Sequence, residues 1–144
     1  MSNQHSFGIW LDRSIGGEWI SDRRYLYYSG ANEPKAINLT THFTVGKVAP
    51  LVYEINWDGQ TSGRMQLELV GDVLHRDIGY FTEDPTDSIL EMVDEDTVVF
   101  RTAYDGVTYR EEVRFIGDNL RLRQTIGRKD GELVIAGQYV ERRS

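Results

Sequence analysis

The 144-residue chain contains no cysteine. Disulfide bonds, thiolate metal sites and a cysteine nucleophile are therefore excluded. Basic residues are few, with 16 Lys and Arg against 23 Asp and Glu, for a formal net charge of −7. This charge argues against a nucleic-acid partner, because phosphate binding needs a basic surface. His5, His42 and His75 lack the paired spacing of a metal site, so we expect each of them on the surface and predict no metal centre.

Long apolar runs are also absent. None approaches the roughly 20 residues that a membrane-spanning helix needs, and the opening MSNQHS has no apolar signal-peptide core. We therefore expect no membrane span and a location in the cytoplasm. A nucleophile elbow, a phosphate-binding loop and a dinucleotide fingerprint are missing as well.

The chain has many short segments in which apolar and polar residues alternate, as in half-buried strands. One early segment instead has helical spacing, which predicts a short amphipathic helix ending at Gly16-Gly17. Its apolar positions are Phe7, Trp10, Leu11 and Ile15. The predicted strands lie at 19–28, 37–45, 51–57, 65–69, 73–80, 89–93, 97–104, 107–116, 120–129 and 132–142, with loops at 29–35 and 82–88.

About ten strands joined mainly by hairpin-length turns favour an antiparallel up-and-down barrel over a sandwich, because closing a barrel removes the edge strands. The pairs Asp105-Gly106 and Asp130-Gly131 are common hairpin turns. We therefore predict an all-β chain, with residues 1–144 forming one barrel domain that includes the short N-terminal helix.

Charged residues on apolar strand faces are the functional clue. If its strand alternates, Glu111 shares a face with Tyr109, Val113 and Phe115. A carboxylate there must be paired, protonated or facing a cavity, because an isolated buried charge is costly. The same parity turns three more charges inward. They are Arg23, Arg76 and Glu141.

Four interior charges favour a polar-edged ligand cavity over a dry core, since opposite charges can pair while the cavity is empty. Arg23 and Glu141 have a second interpretation, as residues of a wet barrel rim. Trp57 and Met65 are either core residues or ligand wall. For the segment 120–123, LRLR, parity alone predicts buried leucines and exposed arginines.

Several motifs, in order along almost the whole chain, resemble those of the S-type phycobiliprotein lyases, the CpcS/CpeS group. The more specific one is a glutamate strand running into NLRLR. The matching stretches are Glu111–Arg123 with NLRLR at 119–123, GGEWISDR at 16–23, NWDG at 56–59, HRDIGY at 75–80 and VER at 140–142.

The resemblance implies a ten-stranded lipocalin-like barrel and a photosynthetic function. The protein would bind a phycobilin, phycocyanobilin or phycoerythrobilin, as substrate without a permanently bound cofactor. It would then attach this pigment to a cysteine of an apo-phycobiliprotein subunit of the phycobilisome. An algal host would place it in the plastid stroma, and either a homodimer or a heterodimer with a related subunit is compatible with the family.

The resemblance also implies roles for individual residues. Glu111 would be catalytic, hydrogen-bonding the pyrrole nitrogens and favouring the protonated pigment. Arg121 and Arg123 would bind the two propionates. The remaining bilin-binding candidates are Glu141, Arg23, Arg76, Trp57, Met65 and Thr125. Two other hypotheses are a noncatalytic carrier of a bilin or another hydrophobic acid, and an assembly partner of photosynthetic antennae.

Overall fold

The structure is a computed structural model that describes residues 3–28, 33–78 and 84–144. Its elements are α1 (Asn3–Asp12), β1 (Trp19–Tyr27), β2 (Lys35–Ala49), β3 (Val52–Asp58), β4 (Gly63–Val70), β5 (Val73–Arg76), β6 (Thr86–Met92), β7 (Thr97–Tyr104), β8 (Val107–Phe115), β9 (Leu120–Lys129) and β10 (Glu132–Arg143).

Each strand pairs antiparallel with the next one in sequence, and β1 also pairs with β10, so the sheet closes into a barrel. The turns explain the tight connections. Asp105 and Gly106 both have positive φ, as do Asp130 and Gly131, and this is the backbone of the two-residue hairpin turn that suits twisted strands. The predicted ten-stranded up-and-down barrel with one N-terminal helix is confirmed.

The two ends of the barrel differ. Successive turns of an up-and-down barrel alternate between its ends. The turns at 50–51, 71–72, 93–96 and 117–119 lie on the side where α1 packs, which we call the helix end. The turns at 59–62, 105–106 and 130–131 lie on the opposite side, which we call the open end.

Helix α1 covers the helix end. Phe7, Trp10 and Leu11 are buried in the main apolar cluster, where the Trp10 ring packs edge-on against Phe115 at 5.4 Å. The indole nitrogen of Trp10 donates to the carbonyl of Asp96 at 2.9 Å. The sequence therefore predicted the buried face of the helix correctly.

The end of α1 differs from the prediction. The helix stops at Asp12 rather than at the glycine pair, and Arg13, Ser14 and Ile15 follow in a tighter turn whose amides bond three residues back. The reason is tertiary: the carbonyl of Ser14 accepts a hydrogen bond from the Trp19 indole at 3.0 Å, which pulls this segment onto the barrel.

The strands β5 and β6 also differ from the prediction. β5 ends at Arg76, because the carboxylate of Asp77 takes the place of a backbone partner and accepts from the Gln66 amide at 2.8 Å. The predicted inward position of Tyr80 lies outside the described residues. β6 begins at Thr86, three residues before the predicted start. The prediction missed these residues because Thr86 and Ser88 face inward although they are polar.

Two apolar clusters lie inside the barrel, one towards each end. The larger cluster, at the helix end, includes Trp19, Phe43 and Phe115. The smaller cluster, towards the open end, is built on Tyr25, Ile135 and Tyr139. The inner faces of β9 and β10 carry charged residues where these clusters meet.

Candidate functional site

The charged interior residues come mainly from β8, β9 and β10. Glu111, Arg121, Arg123 and Glu141 are all less than 10% exposed, and Glu141 is fully buried. Arg23, on β1, is half-buried. The structure therefore brings together all five of these predicted site residues inside the barrel.

Strand β9 has the orientation opposite to the one that parity alone predicted. Its arginines face inward, whereas Leu122 is 42% exposed. The register explains this choice: Arg121 lies opposite Glu141, and Arg123 lies opposite Tyr139. A shift by one residue would move both guanidinium groups to the outside and leave two interior carboxylates without their cations.

The four buried charges form one network. Arg121 Nε donates to Glu141 Oε1 at 2.6 Å. Arg123 contacts both carboxylates, Glu111 Oε2 at 2.8 Å and Glu141 Oε2 at 3.4 Å. Glu141 therefore bridges the two arginines, and Arg123 bridges the two glutamates.

The pKa of Glu141 follows from these neighbours. Burial raises the pKa of this carboxyl, but Arg121, Arg123, a hydrogen bond from Ser21 and Arg23 together lower it to about 2. The group is therefore ionised at neutral pH although it is fully buried. It is the fixed negative charge around which the arginines are arranged.

Arg121 lies at the helix-end side of the network. Its Nη1 donates to Ser14 Oγ at 2.7 Å, and its guanidinium carbon lies 5.0 Å from the Trp19 ring and 5.2 Å from the Phe43 ring. Arg121 thus connects the segment after α1 to Glu141.

The larger interior cavity has a volume of about 280 Å³ and opens to solvent beside the exposed residues Gln60 and Thr61 at the open end. This volume is near the lower limit for pockets that enclose drug-sized ligands, about 300 Å³. Among the predicted site residues, Arg23, Arg123, Trp57 and Met65 line it. Its other lining residues are Tyr25, Tyr27, Leu39, Thr41, Phe43 and Ile55.

A smaller cavity of about 60 Å³ lies beneath the larger one, against α1. Glu111, Arg76 and Arg121 line it, together with Trp10 and other apolar residues, and Arg123 lines both cavities. Arg123 therefore forms part of the wall between them. Glu111, the predicted catalytic residue, lies behind Arg123 as seen from the larger cavity.

Arg76 and Thr125 occupy different walls. Arg76, on β5, donates from Nη1 to Ser88 Oγ, and the Ser88 hydroxyl in turn bonds with that of Thr102. Thr125 is fully buried, and its hydroxyl bonds with that of Tyr139 at 3.0 Å. Neither side chain lines the larger cavity.

Sequence reasoning missed several residues that hold the site together. Tyr139 and Tyr25 were treated only as apolar neighbours of the charges, although Tyr139 packs against Arg123 and Tyr25 packs against Tyr139. Ser14 and Ser21 were not singled out. Both are uncharged, so a search for charged residues on apolar faces does not find them. Ser21 nevertheless lies on the inner face directly opposite Glu141.

The three histidines are exposed, as predicted. In the described part of the chain, no three His, Asp or Glu residues lie together as a metal site would require. No helix there is long and apolar enough to cross a membrane.

Comparison with known proteins identifies the family. The model of the family described as CpeS-like protein matches residues 54–144. The chain belongs to the CpeS-like family. The resemblance to the S-type phycobiliprotein lyases is thereby confirmed.

Two similar proteins are named as lyases. The chain is 29% identical to the putative phycocyanobilin lyase CpcS 2 of Nostoc sp., over 88% of this chain and 85% of the relative. It is 25% identical to the putative chromophore lyase CpcV of Picosynechococcus sp., over 88% of this chain and 76% of that protein.

A solved structure shares the fold. The S-type phycobiliprotein lyase CpeS of Guillardia theta superposes with a TM-score of 0.72 at 19% identity, covering 100% of this chain and 93% of that one. At this identity the match establishes the architecture, a barrel of the CpeS type.

Proposed function

We propose that this CpeS-like protein is a phycobiliprotein chromophore lyase. It binds a phycobilin in its barrel and transfers the pigment to a cysteine of an apo-phycobiliprotein subunit, a step in building the phycobilisome for photosynthesis. The family membership and the names of both curated relatives support a lyase. The observation that carries the proposal is the cavity of about 280 Å³ with two arginines in its wall.

The lining of the larger cavity indicates which arginines can bind the propionates. Arg23 and Arg123 line it, whereas Arg121 lies below and bonds Ser14 and Glu141. A linear tetrapyrrole has two propionates, and each suits the planar fork of one guanidinium group. We therefore assign the propionates to Arg23 and Arg123, and give Arg121 the supporting role of holding Glu141.

The other lining residues suit the pigment's conjugated rings. Trp57, Met65 and Phe43 offer apolar and polarizable surface on the wall across from β9. Because the cavity opens at the open end, a pigment longer than the cavity projects there, where an acceptor can reach it.

Glu111 acts from behind Arg123. A propionate that binds Arg123 competes with Glu111, whose carboxylate is 2.8 Å from that guanidinium. The displaced carboxylate takes up a proton from solvent and then hydrogen-bonds the pyrrole nitrogens as a carboxylic acid, donating this proton to the pigment and recovering one when the thiol addition is complete. Proton donation to the pigment makes its side group a better electrophile.

The transfer itself is an addition. The acceptor thiol adds to the electrophilic side group, a carbon–sulfur bond forms, and the thiol's proton ends on the pigment, so no oxidant or reductant is needed. The lyase contributes by holding the pigment in a reactive geometry. This mechanism needs no cysteine in the lyase, and the sequence has none.

The working unit in this proposal is one domain of residues 1–144, alone or as a homodimer or heterodimer. We place it in the cytoplasm or, in an algal host, the plastid stroma, where its acceptor would be found. A noncatalytic carrier of a bilin or another hydrophobic acid is not favoured, because both curated relatives are named lyases.

One experiment tests the function in two stages. The purified protein is mixed with phycocyanobilin or phycoerythrobilin, and the visible spectrum is recorded before and after addition of an apo-phycobiliprotein subunit. We expect a red-shifted complex, and then acid-stable colour on the subunit that is absent when its acceptor cysteine is replaced by alanine.

The outcomes separate the hypotheses. A spectrum identical to that of the free bilins would contradict bilin binding. A coloured complex that gives no more acid-stable product than a mixture without lyase would identify a carrier.

In the same assay Glu111→Gln should form the coloured complex but transfer the pigment more slowly, by on the order of 100-fold, the scale of general acid catalysis. Normal transfer by this variant would remove Glu111 from the mechanism.

A further inference from the structure

Tyr139 lies between the two arginines of the larger cavity. It is on β10, and its register partners on the flanking strands are Arg23 on β1 and Arg123 on β9. The guanidinium carbon of Arg123 is 4.7 Å from the centre of the Tyr139 ring, and that of Arg23 is 5.2 Å from it. Both distances are within the range of an attractive cation–π contact.

The surroundings fix the position of this ring. Tyr139 is 3% exposed, and its hydroxyl bonds with the buried hydroxyl of Thr125 at 3.0 Å. Tyr25 packs edge-on against it with the ring centres 5.3 Å apart. Gly137 provides the space, because a Cβ there would lie 3.0 Å from atoms of both tyrosine rings.

The two arginines depend on the ring to different degrees. Arg123 is held by the carboxylates of Glu111 and Glu141. Arg23 donates to the neutral Ser21 Oγ at 3.0 Å, and within the described residues no carboxylate lies at ion-pair distance from it. Two guanidinium groups on one wall repel each other, more strongly in a partly dry interior than in water. An aromatic ring between them attracts both cations and keeps them apart.

We propose that Tyr139 is a positioning residue that sets the separation of Arg23 and Arg123, and thereby selects ligands with two carboxylates over ligands with fewer. The inference rests on the proposed function for its ligand, a linear tetrapyrrole with two propionates. It goes further by naming the residue that determines the selection. Tyr139 does not line the cavity and acts through the arginines.

The test compares phycocyanobilin with its dimethyl ester, which has the same conjugated rings but no free carboxylate. Dissociation constants for both are measured by absorbance titration with the wild type, Tyr139→Phe and Tyr139→Met. Methionine fills similar space without an aromatic face. Tyr104→Met is the control, since Tyr104 stacks on Tyr109 at 5.4 Å near the open end.

We expect the wild type to prefer the diacid by at least about tenfold, the scale of one charge-assisted hydrogen bond. Tyr139→Phe and Tyr104→Met should keep this preference. Tyr139→Met should lose most of it, and its bound diacid should show a shifted absorption maximum. If Tyr139→Met is poorly folded, Tyr139→Leu replaces it.

Two failures are distinguishable. A wild type that binds neither compound contradicts the proposed function and the ligand selection that depends on it. A wild type that prefers the diacid, together with a folded Tyr139→Met that keeps the same preference and spectrum, overturns the inference about Tyr139 and leaves the proposed function intact.

Discussion

Glu141 is a fully buried carboxylate that carries a charge, and its neighbours explain how. Taking a carboxylate out of water costs several kcal/mol, and this cost is offset only if cations and hydrogen-bond donors surround it. Arg121 and Arg123 supply the cations, and Ser21 supplies a hydrogen bond. The pKa of about 2 is the net result.

This low pKa predicts how stability depends on pH. The folded-state pKa of Glu141, about 2, is below its ordinary value of 4.5, so ionised Glu141 stabilises the fold above pH 4.5, and this stabilisation is lost as the pH falls towards 2. The difference corresponds to about 3 kcal/mol. Relative to the wild type, Glu141→Gln should therefore be destabilised most at neutral pH, and the gap should narrow on acidification.

Urea unfolding at several pH values measures this gap. The control is Glu91→Gln, because the Glu91 side chain is 57% exposed and pairs with Arg101 at 3.1 Å on the surface. It should change stability by less than about 1 kcal/mol at any pH. A gap between wild type and Glu141→Gln that stays constant from neutral pH to pH 2 would contradict the role assigned to Glu141.

Residue parity predicted much of this interior but not all of it. Alternation placed Glu111, Arg76, Arg23 and Glu141 inward, where the structure has them. It failed at LRLR, because a pattern of single residues cannot weigh two buried arginines against the partners that they meet across the sheet. Glu111 and Glu141 come from other strands, so the reason for the orientation of β9 is tertiary.

At the level of elements, α1 is fastened to the barrel at several points. Gln4 accepts from the Gly71 amide at 2.7 Å, and Asp12 accepts from the Tyr53 hydroxyl at 2.7 Å and pairs with Lys47 at 3.1 Å. Arg13 pairs with Asp96 at 2.9 Å. A helix of 10 residues is unstable alone, so these contacts and the buried Trp10 face define it.

Ser14, just after α1, connects this region to the charge network by accepting a hydrogen bond from Arg121. Replacing Ser14 by alanine removes the acceptor of one Arg121 hydrogen bond and should cost about 1–3 kcal/mol of unfolding free energy. The control is Ser6→Ala, at a half-buried position in α1, which should cost less than about 1 kcal/mol. Denaturant unfolding measures both, and equal stability of the two variants would contradict the proposed link.

The element boundaries show where the sequence lacked information. Strand predictions from alternation found β1 to β4 and β7 to β10 within about four residues at each end, because polar and apolar residues alternate along them, and the largest difference is at β2, which continues to Ala49. β6 was predicted to start too late, since Thr86 and Ser88 are inward but polar. The C-terminal residue of α1 was predicted wrongly because Trp19 and Arg143 donate hydrogen bonds to the carbonyls of residues 13–15, and sequence spacing does not reveal such partners.

For the whole molecule, the interior has two compartments with different roles. The larger cavity is open and lined by aromatic and aliphatic side chains with two arginines, as a ligand site requires. The smaller one is against α1 and contains Glu111. Arg123 lines both cavities, so a ligand carboxylate bound to Arg123 would compete with Glu111 for its guanidinium group. The sequence predicted a hollow barrel but could not predict this division, which depends on where side chains from many strands meet.

In the proposed complex, the pigment lies in the larger cavity with its propionates on Arg23 and Arg123. The most direct measurement is the dissociation constant of phycocyanobilin, as diacid and as dimethyl ester, for the wild type, Arg23→Ala and Arg24→Ala. Arg24 is the matched control, because it is the next residue on β1 and faces outward, where it bonds Asn38.

We predict that Arg23→Ala weakens binding of the diacid by about 1.5–3 kcal/mol and leaves binding of the ester nearly unchanged, while Arg24→Ala affects neither. Identical diacid isotherms for Arg23→Ala, Arg24→Ala and the wild type would contradict this account.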